Sequence, residues 1–178
     1  MTFGQSPNQP GSQTVTPHHG VTAQPEPGLH TREEFEFVAN APLERCFPLF
    51  GAAMERVWAE DWHPKFSWPS KAEDREGMVF EIAHGEHTAT WVNTVFDLKA
   101  RRIQYVYTLP DFVATVITID LIPRENSTLV KVRYERTSLS LAATAHVSEM
   151  AEHDRRAGPE WAAQINRYLT GKNDDSER

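Results

Sequence analysis

Hydrophobic and polar residues alternate through the middle of the chain, between Met78 and Ser138. Four or five runs rich in β-branched and aromatic residues follow one another here, separated by Gly, Pro, Asp and Asn. This pattern is typical of antiparallel strands that are neighbours along the chain. It predicts an antiparallel meander, preceded by a first strand at Glu34–Ala39.

A tight hairpin is predicted early in this stretch, because Gly85-Glu86 stands between two histidines. Glycine at the first turn position favours a two-residue loop, which places His84 directly opposite His87. The residues with the same parity as this pair are expected on one face: Phe80, Ile82, Ala89, Trp91, Asn93 and Val95.

The later strands alternate in the same way, and a strand is also predicted from Val116 to Leu121. In the strand predicted before Val116, alternate positions carry Ile103, Tyr105 and Tyr107. In the last strand, the face predicted to be buried carries Val130, Val132 and Tyr134. Its other face, predicted to meet water, carries Lys131, Arg133 and Glu135.

Helical spacing precedes the meander, from Leu43 to Trp58. Pro48 and Gly51 interrupt it, so one interrupted helix and two short helices at an angle both fit the pattern. The next segment, Trp62–Ser70, contains two prolines and is predicted to be an aromatic-rich loop.

A second helical segment, from about Ala142 to Leu169, follows the meander. Gly158-Pro159 in its middle predicts a kink or a break into two helices. Asp154 lies on its apolar stripe, and we expect the break to rotate this carboxylate toward solvent. The alternative is a buried carboxylate that needs a partner and has a raised pKa. The stripe consists of Val147, Met150, Asp154, Ala157, Trp161, Ile165 and Tyr168.

Composition divides the chain into three parts. Residues 1–30 contain few large apolar groups and are predicted to form a disordered tail. Residues 31–171 are predicted to form one domain, and residues 172–178 a polar C-terminal tail.

Net charge, cysteine count and the length of the apolar runs exclude several classes of function. The net charge of −7 argues against a nucleic-acid partner, whose binding requires neutralisation of phosphates. The single cysteine, Cys46, excludes an internal disulfide framework and fits a reducing compartment. The sequence has neither an apolar run long enough to span a membrane nor a secretory signal, so we expect a cytoplasmic protein.

Several segments together resemble a known superfamily. They read PLERCFPLFGAAMERVWAEDWHP, EGMVF, TATWVNTVFDLKARRIQYVY, KVRYERTSLS and EWAAQINRYL. In these segments and their order the chain resembles the START-like or SRPBCC superfamily, in particular a bacterial subfamily related to polyketide cyclase/dehydrase proteins. The resemblance implies an α+β helix-grip fold, in which a curved antiparallel sheet wraps around a long C-terminal helix. It also implies an apolar cavity between the two.

That superfamily includes lipid carriers, hormone receptors, cyclases and chaperone cofactors, so three functions remain open. The first is binding of a hydrophobic or aromatic small molecule, lipid-like or polyketide-like, by a monomer or homodimer. The second is an aromatase/cyclase reaction with an acid/base in the cavity, and the third is a protein-interaction module whose cavity is filled. The candidate ligand contacts, which could equally fill the interior, are Trp58, Trp62, Phe80, His84, Trp91, Tyr105, Tyr107, Tyr134, Trp161 and Ile165.

Few residues suggest catalysis. His84 and Asp154 are the candidate acid/base groups, since a neutral imidazole titrates near working pH. His84 and His87 resemble a metal pair, but spacing indicates no third ligand, so we expect neither a metal nor another cofactor. No nucleophile elbow, phosphate loop, dinucleotide fingerprint or zincin motif is present in the sequence.

Overall fold

A seven-stranded antiparallel sheet dominates residues 28–171, the part of the chain that the computed structural model describes. Its strands in chain order are β1 (His30–Ala39), β2 (Lys65–Trp68), β3 (Val79–His84), β4 (His87–Asp97), β5 (Arg102–Leu109), β6 (Val113–Pro123) and β7 (Thr128–Ser138). The spatial order is β1-β7-β6-β5-β4-β3-β2. The predicted meander is confirmed, and the first strand extends the sheet by pairing with the last.

The short helical segments lie between β1 and β2. A single turn of α-helix, α1 (Leu43–Cys46), continues into a 3₁₀ helix at Phe47–Phe50, and a second 3₁₀ helix follows at Glu55–Val57. Pro48 lies in the first turn of the earlier 3₁₀ helix, and Gly51 ends that helix in an extended conformation. Of the two interpretations of this segment, the structure supports separate short helices.

The C-terminal helical segment is broken in two, as the Gly-Pro pair predicted. A 3₁₀ turn (Leu141–Ala143) leads into α2 (Thr144–Arg156), and α3 (Gly158–Leu169) follows after Ala157. A side chain at Gly158 would meet the Phe35 ring at 3.3 Å, so glycine allows α3 to start close against β1. Both helices pack on β1, and α2 also packs on β7.

The hairpin and its register agree with the sequence pattern. His84 pairs with His87, Phe80 pairs with Trp91, and Gly85 has a φ of +61° at the first turn position. The three β5 residues that share one parity, Ile103, Tyr105 and Tyr107, are all buried.

Val95 departs from the prediction because a β-bulge follows Asn93. Beyond the bulge Val95 pairs with Gln104, and Phe96 pairs with the buried Ile103. Directly paired residues share a face, so Phe96 takes the inward place expected for Val95. The buried Asn93 amide fills the bulge when its nitrogen faces the carbonyl oxygens of Gln104 (3.0 Å) and Val95 (2.7 Å).

Several boundaries also differ. Lys65–Trp68 forms the edge strand β2 where a loop was predicted, because Pro64 and Pro69 flank the paired residues and an edge strand needs partners on one side only. β1 begins at His30 rather than Glu34, and β6 at Val113 rather than Val116. Tails were predicted for residues 1–30 and 172–178; of these, residues 1–27 and 172–178 lie outside the described residues, and β1 already includes His30.

Aromatic side chains fill the space between the sheet and the helices. Trp161 of α3 contacts Phe35 and Trp58, each at 5.4 Å between ring centroids, and stacks on Phe50 at 6.5 Å. This arrangement is the helix-grip fold that the sequence implied. Among residues 28–171, none of the helices combines the length and apolarity needed to cross a membrane.

Candidate functional site

A half-open pocket of about 420 Å³ lies at one end of the grip. The β3–β4 hairpin, the β5–β6 turn and the first half of α2 enclose it. The hairpin contributes His84, Gly85 and His87; the region around the β5–β6 turn contributes Tyr107, Leu109, Phe112 and Val113; and α2 contributes His146 and Met150. Its size is within the range of small-molecule sites.

A row of polar side chains crosses the sheet beside this pocket. Tyr107 of β5 pairs with Thr115 of β6, and Thr115 pairs with Arg136 of β7. All three residues are at least 95% buried on the covered face, with Arg136 only 5% exposed. The antiparallel register therefore brings together three residues that are far apart in the sequence.

Arg136 is held by a carboxylate on the facing helix. Its Nε donates to Asp154 Oδ2 at 2.6 Å, and its Nη2 donates to Asp154 Oδ1 at 2.8 Å. Burial by itself lowers the pKa of Arg136, but the bonds to Asp154 and the nearby Tyr107 raise it, with a net shift upward. The expectation that Asp154 turns toward solvent is wrong, because this helix presents it to a buried cation before the break at Ala157.

The remaining bonds of Arg136 run along the sheet. Its Nη1 donates to the Tyr107 hydroxyl in a short hydrogen bond and to Thr115 Oγ1 at 3.1 Å. The guanidinium also lies over the Tyr134 ring, 4.7 Å from its centroid. Two carboxylate oxygens and two hydroxyl oxygens thus satisfy the buried charge, as such a charge requires.

His84 lies at the rim of the pocket against this network. Its ring is stacked nearly parallel to that of Tyr107, with centroids 6.4 Å apart. Burial, followed by the positive charge of Arg136, lowers the pKa of His84 below its ordinary value. The downward shift favours the neutral imidazole, the form that can accept a proton.

The ten predicted ligand contacts fall into two groups. His84 and Tyr107 line the pocket. The core between the sheet and the helices contains Phe80, Trp91, Tyr105, Tyr134, Trp161, Ile165, Trp58 and Trp62.

The last two residues also brace the segment after β1. Trp58 Nε1 donates to the carbonyl oxygen of Leu49 at 2.6 Å, and Trp62 Nε1 donates to that of Ala52 at 2.8 Å.

Sequence reasoning missed most of the pocket wall and the buried arginine. Arg136 has the same parity as Val130, Val132 and Tyr134, so continuing that alternation would have placed it inward. Arginine usually faces solvent, and its inward position depends on a partner from another element. For Phe112 and His146 the sequence contains no comparable periodic signal.

Two acidic residues, Glu55 and Asp74, lie close together in the segment between β1 and β3. Burial, strengthened by the negative charge of Asp74, raises the pKa of Glu55 to about 8. Asp74 itself accepts hydrogen bonds from the backbone N–H groups of Ala53 (2.7 Å) and Met54 (3.2 Å). It thereby fixes the turn that leads into the 3₁₀ helix of Glu55.

Another groove, on the solvent face of β1, β7 and β6, has a different character. Its walls include Glu36 and Lys131, which form an ion pair at 3.3 Å, and Arg133, which pairs with Glu135. Paired, exposed charges of this kind are typical of a solvated sheet surface. Within residues 28–171, the side chains form no group of three or more His, Cys, Asp or Glu suited to a metal ion.

Comparison with solved structures shows the same architecture. Mll3558 from Rhizobium loti superposes with a TM-score of 0.55 at 20% identity, over 76% of this chain and 97% of that one. Norcoclaurine synthase from Thalictrum flavum, in complex with dopamine and hydroxybenzaldehyde, superposes with a TM-score of 0.59 at 11% identity, over 93% and 100%. DynU16, from the dynemicin biosynthetic locus, gives 0.52 at 10% identity, over 79% and 48%.

No model of a protein family matches the sequence. No curated protein matches it significantly. The likeness to solved structures therefore establishes the fold, which is the one expected from the resemblance to the SRPBCC superfamily.

Proposed function

We propose that this protein binds a small hydrophobic or aromatic molecule in the pocket between the β3–β4 hairpin, the β5–β6 turn and α2. The observation that carries this proposal is the pocket itself: an apolar wall faces a few polar groups, with Tyr107 at the edge of a buried hydrogen-bond network. Such a combination is characteristic of ligand sites. The norcoclaurine synthase structure, which holds two aromatic compounds in a similar fold, supports this choice of ligand class.

The pocket lies at one end of the space between the sheet and the C-terminal helices and does not extend along its whole length. The middle of the grip is occupied by stacked rings such as Trp161 on Phe50 and Trp91 on Phe80. A ligand of this protein enters at the end formed by the hairpin and α2. There its apolar body contacts the side chains of Leu109, Phe112 and Met150.

Binding of the neutral fluorescent dye N-phenyl-1-naphthylamine tests this proposal. Met150→Trp places a large side chain in the pocket and is expected to abolish the fluorescence increase. Gln164→Trp is the matched control, because it adds the same side chain to α3 in a separate surface groove. Equal dye binding by both variants would place the ligand elsewhere and contradict the proposal.

A second candidate function is cyclase-type proton transfer, favoured by one observation. His84 lines the pocket and has a lowered pKa, so it is a neutral base positioned beside a bound molecule. Asp154, the other predicted acid/base, has both carboxylate oxygens bonded to Arg136 and is better suited to positioning that cation.

Proton exchange at the methyl group of 2-acetonaphthone in D₂O, followed by NMR, tests the catalytic candidate. The protein is expected to accelerate this exchange, and His84→Gln is expected to remove the acceleration while dye binding persists. His153→Gln is the control, since His153 is exposed on α2 and does not belong to the pocket wall. An unaccelerated exchange in the unmodified protein would leave binding as the function.

A further inference from the structure

All polar side chains of the pocket wall can act as hydrogen-bond donors. Of the described residues that line it, four have hydrogen-bonding side chains: Tyr107 and three histidines, at positions 84, 87 and 146. The others are glycine or apolar, and no carboxylate belongs to the lining. Every polar side chain of the wall can therefore donate a hydrogen bond to a ligand.

The bond from Arg136 fixes the role of the Tyr107 hydroxyl. An arginine N–H can only donate, so the phenolic oxygen of Tyr107 accepts from Nη1. Its own hydrogen is then available to a different acceptor, and donation from Arg136 polarises the O–H and strengthens it as a donor. The buried network thus presents a hydroxyl donor at the pocket.

A second donor lies in the same aromatic stack. The Trp91 ring stacks on Tyr107 with centroids 4.1 Å apart. Trp91 is only 6% exposed, and its Nε1–H has no acceptor among the described residues. A buried donor without a partner is costly. Trp91 is not part of the pocket wall, so it adds to the donor character of the core behind Tyr107 rather than a contact with the ligand.

The charges near the pocket also favour a ligand group that accepts hydrogen bonds, although the whole chain has a net charge of −7. The positive charge of Arg136 acts on His84 across the Tyr107 ring. Of the nearby acids, Asp154 is bonded through both oxygens to Arg136, and Glu149 lies beside His146 at 3.7 Å on the exposed side of α2. Glu86 belongs to the solvent-exposed hairpin turn.

We infer that the ligand joins its apolar body to an anionic oxygen group, such as a carboxylate or an enolate, that accepts a hydrogen bond from the Tyr107 hydroxyl. This inference rests on the proposed function, because it names the chemical class of the ligand held in that pocket. Tyr107 is the binding residue, and Arg136 and Asp154 position it.

Two dyes with the same ring system separate this inference from the proposed function. N-phenyl-1-naphthylamine is neutral, whereas 8-anilino-1-naphthalenesulfonate adds one anionic oxygen group. Fluorescence titration of the full chain, with binding to Met150→Trp subtracted as background, gives a Kd for each. We expect the anionic dye to bind more tightly, and Tyr107→Phe to weaken it by about tenfold or more while changing the neutral dye little.

Thr115→Val is the matched control. It also removes one acceptor of Arg136 Nη1, but Thr115 does not belong to the pocket wall. We therefore expect it to leave both Kd values nearly unchanged. An equal loss in this variant and in Tyr107→Phe would overturn the inference, since the effect would come from displacement of Arg136.

The comparison of the two dyes in the unmodified protein, with the Met150→Trp background subtracted, is decisive without the variants at Tyr107 and Thr115. Equal affinity for the neutral and anionic dyes would overturn the inference while the proposed function stands. Failure of both dyes to bind above the Met150→Trp background would overturn the proposed function and the inference with it.

Discussion

At the scale of single residues, Glu55 is an acid placed where ionisation is unfavourable. Its folded-state pKa is about 8, against about 4.5 for an unburied glutamate. Because the unfolded chain ionises first, the free energy of unfolding is expected to fall as pH rises between these two values. The decline amounts to at most about 1.4 kcal/mol per pH unit.

Glu55→Gln removes this titration and tests it. The variant is expected to be more stable than the unmodified protein at pH 7 and to show a flatter dependence of unfolding free energy on pH from 5 to 8. Urea unfolding at four pH values measures both effects. Glu60→Gln, at a neighbouring exposed position, is the control, and identical slopes for all three proteins would refute the prediction.

Arg136 gives the second prediction at this scale. Arg136→Met leaves the Asp154 carboxylate buried without its partner, which is expected to cost about 3–5 kcal/mol of unfolding free energy. The double variant Arg136→Met/Asp154→Leu should recover much of this loss, because no isolated charge remains. Urea denaturation of both variants supplies the numbers.

The exposed pair of Arg102 and Asp120 provides the comparison for that experiment. Its side chains are 50% and 32% exposed, so Arg102→Met is expected to cost at most about 1 kcal/mol. A similar loss for Arg102→Met and Arg136→Met would show that burial adds nothing to the inner pair.

At the scale of elements, α3 contacts the rest of the fold through a large aromatic side chain, Trp161, alongside a hydrogen bond from Asn166 to Val38 of β1. Trp161 contacts rings from β1 and from both segments that follow it, including Phe35, Phe50 and Trp58. Trp161→Ala is expected to lower the free energy of unfolding by about 3 kcal/mol, as for other large packed aromatics. Arg167→Ala, exposed on the same helix, should change it by less than about 0.5 kcal/mol. Chemical denaturation compares them, and a loss below about 1 kcal/mol for Trp161→Ala would show that α3 does not grip the sheet.

The sequence predicts elements well where the signal is local. The hairpin at His84–His87, the shared face of Tyr105 and Tyr107, and the break before Pro159 each depend on a few adjacent residues. The bulge after Asn93 was not predicted. It shifts the alternation by one residue, and no glycine in the sequence marks the position of the shift.

The candidate site was less predictable for a related reason. Arg136 and Asp154 are separated by 18 residues and meet only because β7 and α2 pack together. The pocket needs the β3–β4 hairpin, the β5–β6 turn and α2 at once, so no single segment contains its pattern. Parity alone could have placed Arg136 inward, but not have supplied its partner.

At the scale of the whole molecule, the pocket joins parts of the chain that have few other contacts. His84 and His87 lie on the hairpin, whereas His146 and Met150 lie on α2, about sixty residues later. A ligand between them contacts both, so binding is expected to reduce local opening of the hairpin and of α2 together.

Hydrogen exchange with and without N-phenyl-1-naphthylamine measures this coupling. The amides of β3, β4 and the first half of α2 are expected to exchange more slowly with the dye bound, by a similar factor at both places. The α3 amides serve as the internal control, because α3 contributes no residue to the pocket wall. Met150→Trp should exchange at the same rate with and without dye. Protection confined to one wall would mean that the dye rests on a surface, whereas protection of both requires a molecule held between the sheet and the helix.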